Sequence, residues 1–193
     1  MGRPREFDET EVLDRALHLF WSKGFDGTSM EDLVEATGLG RASLYGAFGD
    51  KEKLFSRVVD HYLAVVEAAS PADPDPEADE ADTLRTLANG WVTGTCRRAG
   101  PRGCFLSLAA IEGASTPFAR DALLRSLRAD ERKLARLIRA GQKNGTIRSA
   151  RAADDLARFL VVVQQGVSTS ARAGISPRDL ESAVAEALDH VIG

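Results

Sequence analysis

The residues best placed to do chemistry sit in one short run, Arg41-Ala42-Ser43-Leu44-Tyr45, directly after the turn Gly38-Leu39-Gly40. Arg41 carries a planar fork of donors that can reach guanine O6 and N7 with two hydrogen bonds, a contact worth on the order of ten- to a hundredfold in base discrimination. Ala42 offers a methyl that can touch thymine, and the helix that holds them would present these N-terminal residues to base edges if it entered a major groove. This is the chemistry of a reader of nucleic acid. Considered singly, Arg41 could equally be a solvated arginine and Tyr45 a half-buried core residue; their place after the turn favours the reader.

Catalytic chemistry is not visible. The three histidines, His18, His61 and His190, fall on separate expected helices, and there is no glycine loop for phosphate, nucleophile elbow or metal-ligand spacing. No enzyme activity, cofactor or metal is expected. Cys96 and Cys104 are too few for a disulfide scaffold and fit a reducing compartment. Cys104 follows Arg98 and Arg102 at the expected start of a helix, where a thiolate would be favoured, so it is a candidate sensor thiol; the alternative is a small packed thiol.

The elements that position Arg41 are short helices. Residues 8–23 place Leu13, Ala16, Leu17 and Phe20 at helical spacing and stop at Gly24. Thr28 or Ser29 then caps a second helix, with Glu31 and Asp32 in its first turn. Gly38-Leu39-Gly40 ends it, and a third helix, Arg41 to Phe48, begins at once. Asp50 caps a longer fourth helix carrying Leu54, Phe55, Val58, Val59, Tyr62 and Val66. The segment Ser70 to Asp82 holds three prolines and six acids and reads as an exposed loop. Further helices are expected near 83–98, 103–114, 117–143, 152–173 and 177–192, and no alternating pattern calls for a strand. The fold class is therefore all-α.

Composition agrees with a folded, non-membrane chain: 193 residues, 44% hydrophobic and 28% charged, with no apolar run long enough to cross a bilayer and no apolar stretch at the start. A cytoplasmic location is expected. The net charge of −4 and the eight Lys/Arg against twelve Asp/Glu in residues 1–60 run against a polyanion partner. Placement offsets this, because Arg3 and Arg5 flank Pro4 in an N-terminal arm suited to a minor groove, and Arg41, Lys51 and Lys53 cluster at helix starts.

Residues 24–55, GFDGTSMEDLVEATGLGRASLYGAFGDKEKLF, resemble the TetR family of regulators in Thr28, Ser29, Leu33, Gly38, Leu39, Ser43, Leu44, Tyr45, Phe48, Lys51, Leu54 and Phe55. The resemblance is specific over residues 8–66 and architectural beyond them. It implies an N-terminal three-helix helix-turn-helix domain, residues 1–50, and a C-terminal helical domain for effector binding and dimerisation, residues 51–193. It implies a DNA-binding set of Thr28, Ser29, Arg41, Ala42, Ser43, Tyr45 and Lys51, with the Ser43 and Tyr45 hydroxyls on phosphate or a base edge, Lys51 on phosphate, and the capped start of the second helix holding a phosphate. Two positions depart from the family pattern: Gly40, where a serine commonly caps the recognition helix, and Gly46, where an aromatic or histidine often meets the DNA backbone.

The same resemblance implies a homodimer through the last two helices, striped by Leu156, Phe159, Leu160, Val163 and Val167 and by Leu180, Val184, Leu188 and Val191. Two recognition helices would then lie about 34 to 36 Å apart on a near-palindromic operator. Trp91, Thr95, Phe105, Leu108, Glu112, Phe118 and Gln164 are candidates for lining an effector pocket, though their mix suits a helical core as well. Repression relieved by an unknown small molecule or by thiol modification is the expected function. A helical ligand-binding module without DNA binding is the rival.

Overall fold

The computed structural model describes residues 7–69, 78–96, 100–111 and 117–193. Among them are nine helices and no strand: α1 Glu9–Lys23, α2 Met30–Thr37, α3 Arg41–Phe48, α4 Lys51–Ala69, α5 Glu80–Thr95, α6 Phe105–Ile111, α7 Pro117–Asn144, α8 Ala153–Arg172 and α9 Pro177–Ile192. The chain divides into two compact units, Met1–Ser70 with Leu108–Ala122, and Pro71–Ser107 with Leu123–Gly193. The expected domain boundary at residue 50 falls in the turn before α4. Packing carries the first unit further along the chain, because Leu54, Phe55, Val58 and Val59 of α4 are buried in it.

In the first unit, α1 has a local cause at each end. Asp8 caps α1 by accepting from the Thr10 amide at 2.8 Å, and Gly24, at φ 78°, ends the helix with its N–H on the Phe20 carbonyl. The core is aromatic: Phe55 stacks edge-on against Phe20 at 4.8 Å and Phe25 at 4.9 Å between ring centroids, and Phe118 approaches Phe55 at 5.6 Å. Leu33, Leu44, Phe48 and Leu54 complete it. Polar ties cross between helices, from Arg15 to the Thr37 carbonyl at 3.2 Å and from His61 to Asp14 at 2.7 Å.

In the second unit α5 packs on both α8 and α9. Leu84, Ala88, Val92, Ile138, Leu156, Leu160, Val184 and Val191 form its core. Helix α5 begins three residues before the expected 83, because Asp79 accepts the Asp82 amide at 2.8 Å and Ala81 and Leu84 turn inward one helical turn apart. The acidic run thus ends as a helix cap. Glu80 then ties this end to the turn after α7, accepting from Asn144 at 2.6 Å and Thr146 at 2.9 Å. A backbone hydrogen bond from its own amide foremost, then those from Thr146 and Asn144, hold its carboxyl below the usual range. Along α7, Arg125, Arg128, Arg132, Arg136, Arg139 and Lys143 form an exposed basic stripe.

Candidate DNA interface

The surface around Arg41 is built by α2, a glycine turn and α3. Ser29, not Thr28, is the cap of α2: its hydroxyl accepts the Asp32 amide at 3.0 Å, and the Asp32 carboxylate accepts the Ser29 amide at 2.8 Å, a reciprocal capping box. Lys23 adds a contact to Asp32 at 2.8 Å. With these donors around it, Lys23 foremost, the Asp32 carboxyl is held far below the usual carboxylate range. Gly38 adopts φ 72°, the left-handed region that reverses the chain after α2.

Helix α3 is amphipathic in a useful sense. Leu44 and Phe48, one turn apart, are its buried anchors, while Arg41, Ala42, Ser43, Tyr45 and Gly46 are all exposed. Tyr45 stands 41% exposed on this outer face. Gly40 caps the helix without a side-chain bond, and a Cβ placed at Gly40 or Gly46 would meet open space. Two of the seven expected contact residues have other occupations. Thr28 is only 1% exposed, and its hydroxyl donates to the Gly24 carbonyl at 2.6 Å, inside the turn before α2. Lys51 donates to the Phe25 and Thr28 carbonyls, each at 3.0 Å, and its ammonium lies 4.3 Å from the centre of the Phe25 ring. It closes the turn between α1 and α2 with its charge. Arg3 and Arg5 lie outside the described residues.

Arg15, Lys23, Lys51 and Arg57 are bound to groups of their own unit. Among the described residues, Arg41 and Lys53 remain as cations beside the polar face of α3, and both have a carboxylate at hand: Glu31 at 2.7 Å from Arg41 and Asp50 at 3.3 Å from Lys53. The contact between Arg41 and Glu31 crosses from α3 to α2 over a separation of ten residues. No spacing rule along a single helix could have found it.

The candidate effector residues do not form one group within a unit. Leu108 and Phe118 belong to the first unit; Trp91, Thr95, Phe105 and Gln164 belong to the second; Glu112 lies outside the described residues. Phe105 is buried, Trp91 packs against the second core, and the Thr95 hydroxyl is used on the Trp91 carbonyl at 2.8 Å. Gln164 differs, since its Oε1 is buried without a hydrogen-bond partner while its side chain faces Asp130 of α7 closely enough to favour that carboxylate's charged form. Burial pushes the Asp130 carboxyl above its ordinary 3.8. Sequence reasoning missed Asp130, which looks like one more polar residue in a highly charged helix. Cys104 is partly buried just before α6, its amide donating to Ser168 Oγ at 2.8 Å, and Arg98 lies outside the described residues. No group of three or more metal-ligating side chains occurs among the described residues, and none of their helices is long and apolar enough to cross a membrane.

A capped helix, a glycine turn and a short helix with two buried anchors and a polar outer face define a helix-turn-helix unit, here joined to a second helical unit. Residues 12–58 match the family model described as bacterial regulatory proteins, tetR family, and residues 81–187 match the tetracyclin repressor-like C-terminal domain. The chain belongs to the TetR family of transcriptional regulators. It is 35% identical over 187 residues to the HTH-type transcriptional repressor ComR of Escherichia coli K12, spanning 91% of this chain and 84% of ComR. It is 31% identical over 186 residues to the repressor BdcR of the same organism, spanning 93% of this chain and 86% of BdcR. A solved structure of the TetR-family regulator CifR, a cysteine mutant complexed with a 26-base-pair operator duplex, is 31% identical with a TM-score of 0.86, covering 98% of this chain and 100% of CifR. These relatives are named as regulators, not enzymes.

Proposed function

We propose that this chain is a homodimeric cytoplasmic repressor that sets α3 into the major groove of a near-palindromic operator and is released when the second unit binds a small molecule or when Cys104 is modified. The observation that carries the reading is the outer face of α3, where Arg41, Ala42, Ser43 and Tyr45 are all exposed over the buried anchors Leu44 and Phe48. Arg41 reads guanine, Ala42 touches a methyl, Ser43 and Tyr45 bind phosphate or a base edge, and the capped start of α2 at Ser29 meets phosphate. Thr28 and Lys51 serve by shaping the turn that presents these residues. The domains follow residues 1–50 for DNA and 51–193 for effector and dimer, with the start of α4 acting as the floor of the head.

Dimerisation through α8 and α9 is supported by an open apolar groove between them, lined by Phe159, Val163, Gly166, Ala183 and Ala187, beside the 65% exposed Val162. In the second unit the unsatisfied Oε1 of Gln164, beside Asp130, is the polar group best suited to orient an effector. The effector must bind the released conformer more tightly than the DNA-bound one, since equal affinity shifts nothing.

Selection of bound duplexes from a random pool tests the reading. The wild-type chain is expected to enrich an inverted repeat with a fixed G·C pair in each half, and Arg41→Ala to lose the preference at that pair by on the order of ten- to a hundredfold. A pool left unenriched by the wild type, or the same motif selected by Arg41→Ala, overturns it. For the thiol, Cys104→Ser is expected to abolish release of DNA by electrophiles; undiminished release would remove Cys104 from the mechanism.

A further inference from the structure

Glu31 is out of place on a surface that meets a polyanion. It stands exposed in the first turn of α2, where a carboxylate suits the helix dipole, but it is not the capping carboxylate, which is Asp32. Its Oε1 instead accepts from Arg41 Nη1 at 2.7 Å, and the Arg41 guanidinium also lies 5.8 Å from the centre of the Tyr45 ring. A carboxylate at one edge and a ring at one face together fix the plane of the guanidinium. Tyr45 and Glu31 both favour the charged form of Arg41.

An unrestrained arginine at the start of α3 would bind any phosphate within reach, because that attraction depends on charge and little on direction. Paired with Glu31, the same arginine presents no net charge, and a phosphate approaching it meets a carboxylate as well. Guanine O6 and N7 carry no formal charge and escape that repulsion, while still matching the outward N–H edge of a guanidinium held in plane. Oε2 of Glu31 accepts no bond among the described residues. It has the chemistry to take the N4 amino group of a cytosine.

We propose that Glu31 is a specificity-determining residue, which confines Arg41 to the edge of a G·C pair and suppresses its binding to phosphate. This rests on the DNA-binding reading above. The test uses the full chain, wild type and Glu31→Gln, against two duplexes of equal length across a salt series: one enriched by the wild type from a random pool, and one of scrambled sequence. Glu31→Gln is expected to bind the scrambled duplex roughly three- to tenfold tighter and to steepen the dependence of log affinity on log salt by about one, the signature of one freed cation. Its preference for the enriched duplex should narrow by about tenfold. In the Arg41→Ala background, Glu31→Gln removes only the carboxylate's own repulsion of phosphate, so the preference between the two duplexes should not change. A merely structural role for Glu31 would move the melting temperature and leave the salt slope and the preference alone. If the wild type selects a duplex and Glu31→Gln matches it in slope and preference, the role of Glu31 is refuted while the DNA-binding reading stands; if the wild type selects none, both fall.

Discussion

Two helix faces of this protein rest on buried anchors and point outward with opposite chemistry. On α3 the anchors Leu44 and Phe48 support an outer face of Arg41, Ser43, Tyr45 and glycine. On α8 the anchors Leu156, Leu160 and Val167 support an outer face that includes Phe159, 41% exposed, and Val162. Burial satisfies the inner side of each helix in the same way, so the outer side is where the difference in partner is written. Exposed apolar side chains gain by covering one another, whereas a guanidinium and hydroxyls gain only from a partner that brings acceptors. The contrast teaches that an amphipathic period reports where the core is, and the residues left outside it report what comes next.

The contrast can be broken at either face. The largest effect is expected on α8: Phe159→Glu should raise the dissociation constant of the dimer by about a hundredfold or more, since covering the groove would then bury an unpaired charge. Sedimentation velocity reads this directly, and the helical fold should persist because the side chain is already exposed. A dimer unaffected by this change would remove the α8 face as the interface. At α4, Lys51→Met is expected to lower the stability of the first unit by about 1 to 2 kcal/mol, the worth of hydrogen bonds from a charged donor to the Phe25 and Thr28 carbonyls. The salt slope of DNA binding should not change. A slope shallower by about one, with stability intact, would instead restore Lys51 as a phosphate contact. The smallest effect is on α3, where Gly46→Ala should stabilise the helix by about 0.5 to 1 kcal/mol, because the added methyl meets open space and glycine's excess backbone freedom is removed. Thermal unfolding checks the sign; a lower melting temperature would mean that the open space around Gly46 is misjudged.

Most of the head was legible in the chain because its signals are local. The Ser29 to Asp32 capping box, the Gly38 turn and the anchors of α3 each act within four residues. What was ambiguous locally was settled by burial: Thr28 and Ser29 are both capping types, and only the core decides that Thr28 turns inward to the Gly24 carbonyl. The start of α5 was placed too late, at 83, because the prolines and acids of residues 70–82 read as loop and masked Asp79 as a cap. The effector residues were least legible. Aromatic and aliphatic side chains line pockets and fill cores by the same spacing, and Phe105 and Trp91 are taken up by packing.

By itself, the order of residues determined that this chain is helical and where the turn before Arg41 lies, because hydrogen-bond caps and the helical repeat reach only a few residues along the chain. Tertiary structure alone decided that Lys51 spends its charge on two carbonyls of a distant turn, that Glu31 meets Arg41, and that Gln164 lies beside Asp130. Those pairs join separate helices, and electrostatic contacts depend on distance in space, which no spacing in the sequence encodes.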